Sequence, residues 1–481
     1  MLFKRPLRRA LLPLYLIASG VAFQPQVHAQ APSQRSTAEA RQTKAGKRAV
    51  AATPKMAKHA RTAAVAGAAG AGVVVAATAA AATAAAATAA AATVPKPPVP
   101  NTAEARLLNV IELVKRQELD AALRAAGELT SDVPNFRAAQ LVYADLLRFK
   151  TGRATGWVNA PAAEVTELLT RNAVLDQAAL APAQEWQEQA HGLQKELQRR
   201  VHAYGVLPAA GSVPREFQQL DVSVRHAVAI DASKSRLYLF GHEKGKLRLI
   251  RDFYVSIGKF GMGKTAEGDQ RTPQGVYFIG RQIPGPRLPE FYGKGALTLN
   301  YPNDWDRAVD RSGDGIWLHG APPDQFARLP EASDGCIVLS NPDLILLMKT
   351  LDRQTPVLIR DKLQWAGAGE RVQGQADDGF GRVLDRWQQA WKGADQQQLA
   401  KMYVGAPAAD RFPRARLTEF FRFADIGMQQ LSVYSWKDAQ GDIRIVDMQI
   451  GSARAGKSLP LRQYWRKSGG RWEVFSEEVR G

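Results

Sequence analysis

Ser333-Asp334-Gly335-Cys336-Ile337-Val338-Leu339 follows Asp314-Gly315-Ile316-Trp317-Leu318-His319-Gly320 so that a histidine and a cysteine stand seventeen residues apart. Cys336 is the only cysteine among 481 residues, so it has no partner for an internal disulfide. A free thiol is either a small buried hydrophobe or a working nucleophile. The flanking residues favour the nucleophile. A thiolate that attacks an acyl carbon needs a base, which His319 offers, and the base needs an acceptor that fixes its tautomer. Gly335 lets the backbone approach a developing oxyanion with no side chain in the way. Both stretches read as a turn running into a short strand, which brings base and nucleophile together on rigid elements.

Working outward, residues 220–362 carry a period near two, punctuated by Gly, Pro and Asp. Strands are expected at Ala227–Ile230, Arg236–Phe240, Leu247–Ile250, Asp252–Ile257 and Gly275–Ile279, with a helix at Asp343–Leu351. On the N-terminal side, residues 101–205 have helical periodicity, as in Leu107-Leu108-Ile111-Val114 and Leu141-Val142-Leu146. That pattern suits either a tetratricopeptide-like array or a helical bundle packed on the next domain. On the C-terminal side a Gly/Gln/Asp-rich linker spans 366–381. Residues 382–481 then read as a helix at Val383–Met402, a helix at Arg414–Phe423 and three or four strands. The stripe Leu417, Phe420, Phe421 and Phe423 is core at helical spacing. The expected fold class is therefore multidomain: an N-terminal α-helical region, a central β-rich domain and a C-terminal α+β domain.

The first 29 residues have the parts of a signal peptide. Lys4, Arg5, Arg8 and Arg9 precede an apolar run from Ala10 to Phe23, and Val27-His28-Ala29 supplies a small-x-small cleavage pattern. Export to the periplasm or cell envelope is the expected localisation, with membrane contact only if this leader stays uncleaved. Residues 30–100 are low complexity, Lys/Arg-rich and then Ala/Thr/Pro-rich, and suit a tether. Residues 1–100 hold 13 Lys/Arg and one acid, Glu39, and so +12 of the net +18. The rest of the chain carries ordinary solubility charge, and no patterned basic and aromatic residues point to nucleic acid.

Taken together, the residues around His319 and Cys336 resemble the YkuD-type L,D-transpeptidase family, whose motif is His-Gly, a spacer, then Ser/Thr-His-Gly-Cys and an apolar residue. Arg271-Thr272-Pro273-Gln274-Gly275 and Leu299-Asn300-Tyr301-Pro302-Asn303 match further family stretches. Two positions depart from the pattern: Asp334 stands where commoner members have a second histidine, and Val338 where many have arginine. These departures look like the branch of peptidoglycan L,D-carboxypeptidases and lipoprotein-releasing amidases. Trp387-Gln388-Gln389-Ala390-Trp391 and the Trp465 and Trp472 stretches look like the NTF2-like domain appended to such cell-shape enzymes.

The resemblance implies an exported cysteine enzyme acting on peptidoglycan stem peptides. Cys336 would be the nucleophile, His319 the general base, the Gly320 carbonyl the group that orients His319, and Gly335 an oxyanion N–H donor. Ser333, Asp334, Tyr301, Asn303, Trp317 and Lys264 would contact substrate. No cofactor and no metal are implied, and other wall proteins would dock on the helical or NTF2-like domains. The opposed reading is a non-catalytic wall-binding scaffold. A third reading comes from Gly258–Thr265, which fits the P-loop pattern G-x-x-x-x-G-K-[ST], but the residues that follow, through Pro273, break the helix that a phosphate site requires. The acids Asp304, Asp306, Asp310 and Asp314 lack the calcium-loop alternation and read as a solvated loop.

Overall fold

The leader, the 30–100 tether and the Arg414–Phe423 helix lie outside the residues that the computed structural model of the protein describes, which are 102–151, 177–367, 379–393, 395–404, 426–452, 454 and 456–480. Four helices open the described chain: α1 (Ala103–Lys115), α2 (Leu119–Asp132), α3 (Arg137–Lys150) and α4 (Gln177–Gly205). Thr102 caps α1, its hydroxyl accepting the Ala105 N–H at 3.2 Å. Leu107, Val110 and Ile111 of α1, Ala122, Ala126 and Leu129 of α2, and Val142 and Leu146 of α3 fall at helical spacing and form one core. Leu197 and Val201 of α4 and Phe326 from the β-rich region pack against it. The helices thus close their apolar face partly on the next domain.

The chain continues through β1 (Val213–Pro214), β2 (Phe217–Gln219), β3 (His226–Asp231), β4 (Arg236–Glu243), β5 (Lys246–Tyr254), β6 (Ile257–Gly258), β7 (Gly275–Pro284) and β8 (Gly295–Leu299). After α5 (Asp304–Ala308) come β9 (Trp317–His319), β10 (Glu331–Ser333), β11 (Ile337–Val338), α6 (Asn341–Thr350), β12 (Pro356–Arg360) and β13 (Trp365–Ala366). Eight of these strands form a sheet in the order β11-β9-β8-β7-β12-β3-β4-β5. The two strands expected at Leu247–Ile250 and Asp252–Ile257 are mostly one, β5, because the register shift opposite it falls at Leu239/Phe240 and no turn interrupts it.

Strand β3 explains why the sheet is buried on both faces. Val228 and Ile230 point to a core with Leu237, Leu239, Leu318, Ile337, Val357 and the α6 residues Leu344 and Leu347. Ala227 and Ala229 point the other way, into a second core with Phe240, Phe278 and Leu358. That second core is completed by Tyr434, Trp436, Ile443, Ile445 and Tyr464 of the C-terminal region. Alternation at period two sends successive side chains to two different partners.

The C-terminal region holds α7 (Phe380–Lys392), α8 (Gln396–Ala400), β14 (Ile426–Lys437), β15 (Asp442–Ser452), β16 (Lys457–Ser468) and β17 (Arg471–Val479). The single helix expected over Val383–Met402 is therefore broken, at Gly393, which caps α7. The sheet order is β17-β16-β15-β14-β2, so a strand from before the central domain completes it. Phe380, Leu384, Trp387 and Trp391 pack on Val446, Met448, Leu461 and Trp465. Buried Arg462 fastens the two sheets: it pairs with Asp447 at 2.6 and 2.8 Å and lies 3.2 Å from the Phe278 ring centroid. The expected linker is structured at both ends, since Ala366 belongs to β13, paired with β1, and Phe380 opens α7. The acids near 304–314 are not all solvated: Asp306 is 1% exposed and pairs with Arg311 at 2.9 Å.

Candidate active site

Strands β9 and β11 are parallel neighbours, with Leu318 opposite Ile337 and His319 opposite Val338. The Leu339 N–H donates to the His319 carbonyl at 2.9 Å, and Ala296 of β8 flanks His319 on the other side. One residue before this register, Cys336 comes beside Trp317. The histidine thus ends one strand while the cysteine leads into the adjacent one.

His319 is 1% exposed, and its Nδ1 donates to the Gly320 carbonyl at 2.7 Å. A carbonyl only accepts, so Nδ1 carries the proton and Nε2 of the neutral ring is left as the acceptor. Burial pushes the His319 pKa down to about 4; the Gly320 carbonyl opposes that shift and the Arg328 charge adds to it. The ring packs edge-on to Tyr292 at 4.9 Å and tilted against Phe291 at 5.9 Å.

The Cys336 thiol donates to the Gly315 carbonyl at 3.3 Å. Burial pushes its pKa up; the Trp317 N–H opposes this, Asp334 adds to it, and the charges of Arg328 and Lys264 act against it. The loop that presents it is held from within and from below. Ser333 Oγ donates to the Cys336 carbonyl at 2.6 Å and accepts the Gly335 N–H at 3.2 Å. The Thr272 hydroxyl donates to the Gly335 carbonyl and accepts the Gly258 N–H, both at 2.9 Å. Gly335 has φ +121°, and a Cβ there would stand 2.7 Å from the Arg271 carbonyl oxygen, so both conformation and space call for glycine.

Residues 225–359 match the YkuD family, the L,D-transpeptidase catalytic domain. Similar solved structures include Bd1075 of Bdellovibrio bacteriovorus, 24% identical with a TM-score of 0.45 over 56% of this chain and 98% of that one. Pgp2 of Campylobacter jejuni, a helical cell shape determining protein, is 20% identical with a TM-score of 0.41 over 59% of this chain and 100% of its own. An L,D-transpeptidase from Stackebrandtia nassauensis is 16% identical with a TM-score of 0.23 over 36% and 67%. No curated protein matches the chain.

Within residues 225–359 the expected substrate contacts divide. Asp334 is exposed and accepts from Gln270 Nε2 at 3.1 Å, and Trp317 is half-buried with its ring 5.2 Å from Tyr292. The other four are occupied within the fold. Ser333 shapes the cysteine loop, as above. Tyr301 is 5% exposed and donates to the Ser312 carbonyl at 3.0 Å. Asn303 caps α5, accepting the Asp306 N–H at 3.0 Å, and donates to the Val276 carbonyl at 3.2 Å. Lys264 is 4% exposed and donates to Asp269 at 3.0 Å and the Ala266 carbonyl at 2.9 Å, so its ammonium folds its own loop.

Gly335 also departs from expectation, because its N–H is engaged by Ser333 Oγ in the resting site. The P-loop reading fails on context: no helix follows Gly258–Thr265, and a Cβ at Gly258 would stand 2.4 Å from the Gln270 carbonyl oxygen. That glycine serves a close backbone crossing. Among the described residues no His/Cys/Asp/Glu group is placed to hold a metal ion.

Sequence reasoning missed five residues. Thr272 lay inside a quoted motif, but its grip on Gly335 spans 63 residues. Arg328 sits in the segment between β9 and β10 and the Phe291-Tyr292 pair in a single 3-10 turn, Glu290–Tyr292, and neither has a periodic signal. Asn341 lies just before the helix expected at Asp343–Leu351 and drew no reading of its own, yet its Oδ1 accepts the Lys294 N–H at 2.9 Å and its Nδ2 donates to the Ala321 carbonyl at 2.8 Å. It thereby staples the loop under Tyr292 to the chain leaving His319.

Proposed function

We propose that the protein is an exported cysteine acyl-transferase or peptidase that opens the L,D bond before a terminal D-alanine in peptidoglycan stem peptides. The observation that carries this reading is the buried neutral His319, its Nδ1 proton held by Gly320 and its Nε2 left as acceptor, on the strand beside the one that Cys336 enters. In the first step Cys336 Sγ bonds to the peptide carbonyl carbon and its proton passes to His319 Nε2. Collapse of the tetrahedral adduct breaks the C–N bond; the D-alanine nitrogen takes the proton and leaves a thioester. The acceptor then attacks the thioester carbonyl, giving up a proton to His319 that returns to Cys336. An amine yields a cross-linked or exchanged peptide and water yields a trimmed one.

A second reading, a wall-binding scaffold, is favoured by one observation: Asp334 and burial both hold the thiol protonated, and the thiol is bonded to Gly315. Under either reading the C-terminal region, proposed as NTF2-like, and the helices serve to dock partners. Mass spectrometry of full-length protein with disaccharide-tetrapeptide, with and without a D-amino acid, tests the enzyme reading. Tripeptide or an exchanged product that disappears in Cys336→Ala supports it. No product and no Cys336 adduct with a carbapenem would leave the scaffold. Fractionation of cells carrying the tagged chain tests export; cytoplasmic recovery would sink it.

A further inference from the structure

The segment joining β9 to β10 carries a cation that the steps above do not use. The Arg328 carbonyl accepts from Tyr254 Oη at 2.9 Å, which anchors its backbone, and Arg328 Nη1 donates to the Ala332 carbonyl at 3.3 Å. The guanidinium lies 4.0 Å from the Phe291 ring centroid, and Phe291 leans in turn on His319. It is thus held by the ring and the Ala332 carbonyl, with most of its five N–H donors unspent. Arg328 is half-buried, and Asp334, Asp324 and Cys336 act on it through space only. No carboxylate among the described residues makes an ion pair with it. Burial without an ionic partner disfavours a charge, and Arg328 is pushed below its ordinary value chiefly for that reason. A guanidinium so placed is stabilised by an anion from outside the chain, and its planar fork matches a carboxylate.

We propose that Arg328 is a carboxylate subsite near Cys336, which holds a carboxylate of the peptide beside the attacked carbonyl. This rests on the stem-peptide reading above. Two sources share that chemistry: the C-terminal carboxylate of the residue that leaves, and the side-chain carboxylate of the diamino acid that is attacked. Either would set specificity by charge as well as by shape, and neither needs Arg328 to take part in bond making.

The test is calorimetric titration of full-length Cys336→Ala protein, which binds without turnover, with three probes. These are disaccharide-tetrapeptide, its C-terminal carboxamide, and the peptide whose diamino-acid carboxylate is amidated. One amide should bind about tenfold or more weakly than the parent acid, and which amide does so names the source. In Cys336→Ala/Arg328→Gln that gap should collapse, and in Cys336→Ala/Arg328→Lys, which keeps charge but loses the fork, it should shrink partly. The lysine variant guards against a glutamine variant that fails to fold, with thermal unfolding of both as the check. Equal binding of acid and both amides, binding of none, or a gap undiminished in both double variants would overturn the subsite. A gap without any product from the wild-type protein would sink the catalytic reading and leave the subsite standing.

Discussion

Arg199 of α4 reaches Glu331 of β10 at 2.6 Å, and Lys195 bonds the same carboxylate, so a helix of the N-terminal region is ion-paired to the strand that leads into Cys336. Other contacts on this segment follow the same course. The Phe326 N–H donates to the Asn135 carbonyl at 3.0 Å, and the Phe326 ring lies 4.3 Å from Phe136. A Cβ on Gly192 of α4 would stand 2.5 Å from Leu329, so helix and segment are in close contact. The helices therefore grip the chain between His319 and Cys336, including Arg328, and belong to the frame of the site.

Cutting the Glu331 pair should loosen that segment first. Burial works against the Glu331 charge, but the Lys195 hydrogen bond and the Arg199 charge outweigh it and hold the carboxyl below its ordinary value of 4.5. A depressed carboxylate contributes stability above its unfolded pKa and loses it as pH falls through the folded one. The pair is partly exposed, so Glu331→Gln is expected to cost no more than about 1 kcal/mol. Hydrogen exchange over 326–333 should quicken in Glu331→Gln at neutral pH, and the difference from wild type should fade below pH 4.5. Unchanged exchange at neutral pH would show that Phe326 packing alone holds the segment.

His319 makes a sharper pH signature. An imidazole at about 4 cannot strip in advance a thiol raised above its ordinary 9.0, so proton transfer accompanies attack. Turnover should rise with pH through about 4 and stay flat across neutrality. His319→Gln should lower it by roughly 10²–10⁴ and erase the acid limb. Stability follows the same group. Between about pH 6.5 and 4 the unfolded chain binds a proton that the folded chain refuses, so falling pH destabilises the fold, by about 3 kcal/mol at most. Denaturant titrations across that window should flatten in His319→Gln; an unaltered slope would assign it to other groups.

The Asp334 departure has a consequence of its own. Its charge adds to the burial that keeps the thiol protonated. Asp334→Asn removes the charge while its amide oxygen can still accept from Gln270. Iodoacetamide should then alkylate Cys336 severalfold faster at a fixed neutral pH, with the alkylation profile moved to lower pH. An unmoved profile would mean that solvent screens Asp334 from the sulfur.

Much of this was legible in local sequence. The alternation of Ala227-Val228-Ala229-Ile230 announced β3, and the turn-into-strand patterns of Asp314–Gly320 and Ser333–Leu339 announced two strand ends, because both signals are short-range. The roles of Lys264, Tyr301 and Asn303 were not legible. Polar residues in a motif read alike whether they face a substrate or satisfy a buried backbone group, and only the fold supplies Asp269, Ser312 and Val276 as their partners. One long-range pairing was not legible for a related reason: β2 joins β14 across more than two hundred residues, and no periodicity encodes such pairing.

Asn341 offers a test of how the site is held together. A Cβ on Gly320 would stand 2.1 Å from Asn341 Oδ1, and one on Gly293 would stand 2.2 Å from the same atom. Gly320→Ala must therefore expel the Asn341 amide, breaking its bonds to Lys294 and Ala321 and disturbing the carbonyl that holds His319. A cost of about 1–3 kcal/mol is expected, with turnover falling alongside. Asn341→Ala removes the obstacle but leaves the Lys294 N–H and the Ala321 carbonyl without this partner, at a similar cost. Because both changes break the same two bonds, the double variant should be more stable than the sum of the singles predicts, by about 1 kcal/mol. Urea unfolding of the four proteins measures that coupling. Strict additivity would mean that Gly320→Ala acts through the Lys294 backbone N, the nearest atom outside Asn341 at 3.2 Å, and that Asn341 is no staple.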